Sequence, residues 1–333
     1  MRFQNTVRLD HLAPFEKNPI AKWVQSFNFD SVNMDSGEGL IFARQLEYIE
    51  STLYETKYPM TKARDLFPVD YNVPSGAETF TYYMYDAQGS FDLITNYSDD
   101  FRAITATGKK TTGEIESFGG LIEYSIQDIR AAQMAGIPLN DFQFRAARRL
   151  WEERLDAVAF SGFAGSNLVG ILNHPNIPTG SVPNGVSGTA TFATKTPDEI
   201  LKDLNSLVTE TIDATNGVEA PDTVVLPHAQ YELINTTARS ATSDTTILEF
   251  FLRNNEHITN VVSWYKLKGA GTAGADVMFS YRNDAEAIQV VIPQEFETFP
   301  PQQENMGFQI PAHGRTGGLR VRYPLSIRIK EGI

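Results

Sequence analysis

The chain has 333 residues, of which 41% are hydrophobic, and these values favour a folded protein with a substantial core over a disordered one. Its net charge of -13 argues against a dedicated sequence-specific DNA reader, which is usually basic. The sequence contains no cysteine, which excludes a disulfide framework and a thiolate metal site.

The N-terminal residues show no regular hydrophobic period. Residues 1–35 carry Pro14 and Pro19 among scattered polar residues and predict an arm that needs a partner surface to become ordered. Met1 to Pro14 lacks the basic and apolar regions of a signal peptide. No apolar run approaches the roughly 18 residues of a membrane span. We therefore expect a soluble chain without a membrane partner.

The next residues predict a helix followed by a β-ribbon. From Ser36 onward, one helical face carries Phe42, Leu46, Ile49 and Leu53. Residues 78–86 and 114–124 have strand patterns, and the segment between them is polar. They predict a long two-stranded ribbon with a loose tip. Because an isolated hairpin is marginally stable in water, the ribbon should lie on a neighbouring surface. We expect a chain that lacks residues 87–112 to fold but to assemble poorly.

The strongest helical pattern follows Pro138. Its apolar face carries Phe144, Ala147, Trp151, Leu155 and Val158. Its charged face predicts two i,i+4 ion pairs, Arg148 with Glu152 and Arg149 with Glu153. Asn140 or Asp141 can cap the start, and Gly162 stands where a C-terminal cap belongs.

Residues 162–195 read as loops, and short α/β elements follow them. Thr196, Pro197 and Glu199 form a capping-box pattern at the start of an amphipathic helix. Two further helices are predicted, His228 to Thr236 and Thr246 to Arg253. The predicted strands are Thr223 to Leu226, Val261 to Tyr265, Val277 to Tyr281, Ala287 to Ile292, and Leu319 to Ile329 with an interruption at Pro324. Residues 196–292 form the most self-contained block.

No pattern reaches an enzymatic constellation. Gly269 to Gly274 matches G-x-G-x-x-G, but a strand pattern follows it where a cofactor loop needs a helix, so a hairpin tip is the better interpretation. None of the five histidines has a partner at metal-ligand spacing, and His174 precedes a proline in a turn; the five are His11, His174, His228, His257 and His313. We expect no catalytic, cofactor-binding or metal-binding residue and no cofactor.

Two charged groups also have plain structural interpretations. The carboxylates of Glu295, Glu297 and Glu304 lie in a Pro/Gln-rich segment that reads as a solvated loop. The guanidinium groups of Arg145, Arg148 and Arg149 could contact phosphate, but acidic residues one turn later favour a salt-bridged helix face.

The local sequence and the order of elements resemble one structural family. The residues that carry the resemblance are the segment Ile126 to Gly136, the helix segments Ala146 to Arg149 and Leu155 to Phe160, and the turn Gly170-Ile171-Leu172-Asn173-His174-Pro175-Asn176. Together they are similar to major capsid proteins of tailed bacteriophages. The resemblance implies an α+β class and the Hong Kong 97-type capsid fold.

In that fold the resemblance implies six regions. They are an N-terminal arm (1–35), a first segment of the peripheral domain (36–77), an extended β-ribbon loop (78–124), a spine helix with a second segment of the peripheral domain (125–195), an axial domain (196–304), and a C-terminal return strand to the peripheral domain (305–333). The implied function is a head protein, not an enzyme, that self-assembles into an icosahedral or prolate shell around double-stranded DNA. An encapsulin-like compartment shell and a soluble hydrolase are the two alternatives.

The resemblance also implies partners and a location. The chain would bind itself in hexamers and pentamers, would meet portal, scaffolding and decoration proteins, and would contact packaged DNA non-specifically in the virion capsid after assembly in the host cytoplasm. Some relatives cross-link a loop lysine to an asparagine. Lys109 and Lys110 lie in the corresponding region, but no asparagine or glutamate partner can be assigned, so we expect no covalent cross-link.

Overall fold

The computed structural model describes residues 57–91, 103–135, 139–240, 242 and 244–333. These residues belong to one unit of the chain, Thr56–Ile333. The predicted N-terminal arm and the predicted helix with the stripe Phe42 to Leu53 lie outside the described residues.

Six α-helices lie within the described ranges. They are α1 (Ala63–Leu66), α2 (Ile126–Ala135), α3 (Leu139–Ser161), α4 (Pro197–Ala214), α5 (His228–Thr236) and α6 (Ile247–Asn254). Short 3-10 helices occupy Phe192–Thr194, Tyr265–Leu267, Thr272–Gly274 and Pro324–Ser326.

The strands in the same ranges form four sheets. In chain order they are β1 (Val69–Asp70), β2 (Thr79–Gln88), β3 (Thr105–Glu114), β4 (Glu116–Ser125), β5 (Thr179–Ser181), β6 (Thr223–Leu226), β7 (Asn260–Ser263), β8 (Val277–Tyr281), β9 (Ile288–Val291), β10 (Gln294–Thr298), β11 (Gln302–Glu304), β12 (Gly307–Thr316), β13 (Gly318–Val321) and β14 (Arg328–Glu331). The sheets are β5-β14-β8-β6-β7, β1-β9-β13, β2-β3, and β10-β12-β11 with β4 along the other edge of β12.

Helix α3 forms where the sequence predicts it. Trp151, Leu155 and Val158 are buried on one face, as the spacing requires. The helix ends at Gly162, whose φ of 71° needs a residue without a Cβ. Helix α4 begins with the predicted capping box between Thr196 and Glu199.

Strand β6, an interior strand of the five-stranded sheet, separates two hydrophobic cores. Its side chains alternate, so Val225 packs in the core with Trp151 of α3, while Val224 and Leu226 pack in the core of helices α4, α5 and α6. All four residues of β6 are buried. A sheet covered on both faces needs such an apolar strand, which explains why this short run was recognisable in the sequence.

The β-ribbon differs from the prediction in its second strand. Strand β2 pairs with β3 (Thr105–Glu114), not with residues 114–124. The latter residues form β4, which pairs antiparallel with β12 over its full length, from Glu116 opposite Thr316 to Ser125 opposite Gly307. Both faces of β3 are largely exposed, and its sequence is rich in Thr, Gly and Lys. It therefore lacks the alternation of apolar and polar residues that indicates a half-buried strand.

The C-terminal residues also differ from the prediction. Strands β12 and β13 join sheets with β4 and β9, but β14 pairs with β8 and β5 in the five-stranded sheet. The 3-10 turn Pro324–Ser326 redirects the chain, and Ile327 and Ile329 are then buried in the same core as Trp151. Residues 305–333 are therefore divided between sheets, and β9 (Ile288–Val291) pairs outside the predicted block 196–292.

Candidate assembly site

The outer part of the ribbon has almost no cover from its own subunit. From Tyr83 to Gln88 and from Thr105 to Lys110, every residue is exposed except Met84, which is half-buried. On one face the rings of Tyr83 and Tyr85 stack with centroids 6.4 Å apart, although 58% and 76% of these residues are exposed. We call this pair the aromatic strip.

The strip lies flat because of the strand opposite it. Tyr85 faces Gly108 across the ladder. A Cβ at Gly108 would lie 2.9 Å from the Tyr85 ring, so only glycine lets the ring rest on the neighbouring backbone. The ribbon thus presents a thin apolar face that nothing in the described subunit covers.

The base of the ribbon, in contrast, is fixed to the subunit. The hydroxyl of Tyr82 donates to the carbonyl of Val321 at 3.0 Å. The guanidinium of Arg320 lies 5.7 Å from the centre of the Phe80 ring and forms a 2.5 Å ion pair with Asp70. These contacts orient the ribbon while leaving its outer part free.

A cleft of about 520 Å³ opens between α3 and the sheet of β4 and β12. On the helix side of this sheet, Ile122 packs with Ile310, but the next pair along the ladder is Gly120 opposite Ala312. Small side chains at this pair leave a gap. The cleft is lined by apolar residues of α3, β4 and β10, including Leu150, Trp151, Leu121, Phe118 and Phe296. We call it the Gly120 cleft.

The residues tested for enzymatic roles are not brought together. His228 begins α5, His257 precedes β7, and His313 lies on β12. Nδ1 of His174 accepts the N–H of Asn176 at 3.3 Å, and burial lowers the pKa of this imidazole. His11 lies outside the described residues. Across the described ranges no three His, Asp or Glu side chains are grouped to hold a metal, and no helix is long and apolar enough to cross a membrane.

The segment Gly269 to Gly274 is a turn before β8. Its backbone N–H groups are already occupied by carboxylates of this chain: Gly269 donates to Asp276 at 2.7 Å, and Thr272 donates to Glu331 at 2.7 Å. A phosphate would have to displace these acceptors, and no helix follows the glycines. The segment is therefore a turn and not a cofactor loop, but the hairpin-tip interpretation is wrong, because β7 and β8 lie on opposite sides of β6 and do not pair with each other.

Two predictions about charged residues are wrong in part. Glu295, Glu297 and Glu304 are exposed, as predicted, but Glu295 and Glu297 lie on β10 and Glu304 on β11, not in a loop. Arg64 of α1 binds Glu295 with two hydrogen bonds of 2.6 and 2.8 Å and holds the pKa of this carboxyl below its usual value.

The same arginine explains the second error. Nε of Arg64 donates to Glu152 at 2.8 Å, so Glu152 pairs with α1 and not with Arg148. The other predicted ion pair is present: the distance from Nε of Arg149 to Oε1 of Glu153 is 3.3 Å. The i,i+4 spacing predicts ion-pair partners within one helix. It cannot show that a residue of another element competes for the same carboxylate.

Comparison with known proteins identifies the family. The model of the major capsid protein family matches residues 89–333, which is more than half of the chain. The chain belongs to this family. It is a head-shell protein, and its place is the virion capsid. No curated protein matches the chain by sequence.

Solved capsid structures share the fold. A chain from the capsid of Myoviridae Phage XM1 is 20% identical, with a TM-score of 0.77 over 89% of this chain and 100% of that chain. Chains from Mycobacterium phage Ogopogo and Gordonia phage Cozz both give TM-scores of 0.60. The Ogopogo chain is 12% identical and matches 87% of this chain and 97% of its own length. The Cozz chain is 13% identical and matches 92% of this chain and 97% of its own length. The predicted α+β, Hong Kong 97-type capsid fold is confirmed.

Sequence reasoning did not predict every feature of this surface. It found the ribbon from the aromatic run of β2 but did not find the Gly120 cleft. The available signal was the adjacent pair Gly119-Gly120 inside a strand pattern, because glycine in a strand often marks a close approach by another chain.

Proposed function

We propose that this capsid protein assembles as hexamers and pentamers into a closed icosahedral or prolate shell that encloses double-stranded DNA, and that it catalyses no reaction. Assembly takes place in the host cytoplasm. Besides other copies of itself, its proposed partners are the portal, scaffolding and decoration proteins of the head.

The exposed ribbon carries this proposal. Apart from Met84, its outer residues are exposed on both faces, and it bears the aromatic strip. A two-stranded ribbon without a core is marginally stable in water, so it needs a covering surface. Since its base is fixed by Tyr82 and Arg320, the surface that covers it belongs to a neighbouring subunit.

The division of the core supports separate peripheral and axial regions. Helices α4, α5 and α6 share one hydrophobic core with one face of β6, and we propose that they form the axial region at the capsomer centre. Helix α3 is the spine helix of the peripheral region, together with the sheets of β4 and β9. Strand β14 follows β12 and β13 of the peripheral region but pairs with β8 and β5 in the five-stranded sheet that contains β6, so it joins the two regions.

The charge of the chain supports non-specific contact with packaged DNA. Tight phosphate binding scales with the number of lysine and arginine contacts, and this chain has 28 Lys and Arg against 41 Asp and Glu. An acidic wall encloses DNA without holding it at fixed sequences.

The experiment is to purify the chain and examine it by light scattering and negative-stain electron microscopy. We expect rings or closed shells far larger than a 37.1 kDa monomer. A monodisperse monomer at all salt and protein concentrations would overturn the proposal. For particles from infected cells, nuclease treatment should leave protected double-stranded DNA, whereas a protein cargo would indicate a compartment shell.

A further inference from the structure

We propose that an ion triad, formed by Glu210 of α4 with Arg328 and Lys330 of β14, sets the register of β14 between its neighbours β5 and β8. Because β14 follows β13 in the chain but lies in the five-stranded sheet, its register decides how the sheets of β4 and β9 are attached to helices α4 to α6. This role belongs to a single subunit and does not depend on the proposed shell function.

The triad connects α4 to one face of β14. The ammonium group of Lys330 lies 2.6 Å from Oε1 of Glu210 and donates to the hydroxyl of Ser206 at 2.8 Å. The guanidinium of Arg328 lies 2.6 Å from the other carboxylate oxygen, Oε2. Burial raises the pKa of Glu210, but the bonds from Lys330 and Arg328 outweigh this effect and hold the pKa below its ordinary value. The carboxylate is therefore ionised near neutral pH and binds both cations.

The ammonium group of the triad is buried, since only 4% of the Lys330 side chain is exposed. Removal of an ion from water is costly, and an apolar pair of similar volume is often equally stable or more stable. A buried ion pair is therefore weak evidence for stability. Its best-attested structural role is to select one register among those that apolar packing permits.

The apolar residues of β14 do not define its register by themselves. Ile327 and Ile329 are buried in the core that contains Trp151, and the half-exposed Leu325 continues the same alternation. A slip by two residues would put Leu325 in the place of Ile327 and Ile327 in the place of Ile329, with each side chain still on its own face. The strand would move by about 7 Å. The 3-10 turn Pro324–Ser326 can extend to follow it, because a strand covers more length per residue than a 3-10 helix.

The triad distinguishes these two registers. In the observed register each oxygen of Glu210 binds a cation. After the slip, Arg328 would take the place of Lys330, and Lys330 would lie two residues beyond the carboxylate. Glu210 would then keep one cation instead of two. Loss of one hydrogen bond to a charged group is sufficient for at least about a tenfold preference for the observed register.

Pairs of introduced cysteines report the register directly, because the chain contains no cysteine of its own. Strands β5 and β14 are parallel, with Ser181 opposite Glu331, whereas the slip would bring Glu331 opposite Pro183. Chains with Glu331→Cys and either Ser181→Cys or Pro183→Cys are oxidised at low protein concentration. Mass spectrometry of the digested chains measures the disulfide within one chain. With the triad intact, we expect at least about tenfold more disulfide for Ser181→Cys than for Pro183→Cys.

The same reporter removes another polar contact of β14. The carboxylate of Glu331 accepts the N–H of Thr272 at 2.7 Å and could also favour one register. Because Glu331→Cys is present in every reporter chain, this contact is absent from all of them. A difference between backgrounds therefore measures the triad alone.

Removal of the triad should populate the slipped register. In a Glu210→Leu, Lys330→Met background, we expect the ratio of the two disulfides to fall at least about fivefold, while the melting midpoint does not fall. The matched control is Glu219→Leu, Arg282→Met. It removes an ion pair of 2.6 Å between the segment after α4 and the end of β8, which does not involve β14, so the ratio should stay unchanged.

A third variant separates register from stability. Arg328→Met leaves Glu210 with Lys330 in the observed register and with no cation after the slip. The subunit should therefore lose stability but keep its tenfold preference for the Ser181→Cys disulfide. Three results would overturn the proposal: an equal ratio with and without the triad, the same fall in the Glu219→Leu, Arg282→Met control, or a fall in Arg328→Met.

Discussion

The carboxylate of Asp156, in the middle of α3, lies 2.8 Å from the ammonium group of Lys266. Its other oxygen accepts the backbone N–H groups of Lys62 and Ala63 at 3.0 and 2.9 Å, at the start of α1. Only 1% of the Asp156 side chain and 16% of the Lys266 side chain are exposed. One side chain of α3 thus holds both the start of α1 and the segment after β7.

Removal of this carboxylate should destabilise the subunit strongly. Asp156→Ala leaves a largely buried ammonium and two N–H donors without their partner, and we expect a loss of about 3–5 kcal/mol in the free energy of unfolding. Asp156→Asn keeps an oxygen for the N–H groups, so its loss should be about 1–3 kcal/mol smaller. Urea unfolding measures both. Equal losses would show that the N–H contacts contribute nothing, and Glu153→Ala, at a half-exposed ion pair, serves as the control.

Truncation of two neighbouring residues of α3 should affect the stability of the subunit to very different extents. Trp151 is 6% exposed and its ring packs against Gly314, so Trp151→Ala should cost about 3–5 kcal/mol. Leu150 is 57% exposed, and Leu150→Ala should change the stability of the subunit by no more than about 0.5 kcal/mol. Thermal or urea unfolding distinguishes them. An unchanged midpoint for Trp151→Ala would mean that the helix faces are wrongly assigned.

Shortening the ribbon should leave a folded subunit that does not assemble. The pairing of β2 with β3 shows that deletion of residues 87–112 would remove most of β3 and leave β2 without a partner. A shorter ribbon therefore needs a deletion with ends that lie opposite each other. Tyr82 lies opposite Thr111, so Tyr83 to Lys110 can be replaced by Asn-Gly, which favours a tight hairpin turn.

The removed residues in the described ranges are exposed except Met84, so the shortened chain should still fold, with a circular dichroism spectrum that loses only the ribbon's strand signal and an unchanged melting midpoint, while electron microscopy should show no shells. The double variant Tyr83→Ser, Tyr85→Ser keeps the ribbon length and should also assemble poorly. Normal shells from both variants would exclude an intersubunit role for the ribbon, and an unfolded product would mean that the ribbon belongs to the core.

The Arg64–Glu295 pair should make stability depend on acid pH. The hydrogen bond from Arg64 lowers the pKa of Glu295 from its ordinary value of 4.5, although burial opposes the shift. Because the pKa is lower in the folded state, the pair stabilises the fold above pH 4.5 and loses this effect as the pH falls through the lowered pKa.

The free energy of unfolding should therefore differ between wild type and Glu295→Gln near neutral pH and converge in acid. Since 46% of the Glu295 side chain is exposed, we expect a difference below about 1 kcal/mol. In an Arg64→Met background this pH dependence should weaken, because only the hydrogen bonds from Tyr71 and from the backbone of Phe296 then lower the pKa of Glu295. If it persists there at full size, another group causes it.

Mature particles should contain no covalent network. Lys109 and Lys110 lie on the exposed part of β3 and are explained by surface charge without a cross-linking partner. Particles boiled in detergent should run mainly as 37.1 kDa monomers on a gel. A ladder of multimers would contradict this expectation.

Local patterns in the sequence were sufficient to predict the helices α3 to α6 and the buried strand β6. The stripe of Trp151, Leu155 and Val158, the capping box at Thr196 and the glycine stop at Gly162 each depend on residues within a few positions of one another. Such signals are independent of the rest of the chain, and the capsid family resemblance arose from the same local segments.

Contacts between distant parts of the chain were decided only by the tertiary structure. The exposed strand β3 has no apolar alternation, so its pairing with β2 could not be recognised. Arg64 reaches Glu295 and Glu152 only because α1, β10 and α3 meet in the fold. The Gly120 cleft needs β12 to place Ala312 opposite Gly120 beneath α3. Helix formation depends on neighbours in sequence, whereas strand pairing, ion-pair partners and clefts depend on which distant surfaces the packing of the core brings together.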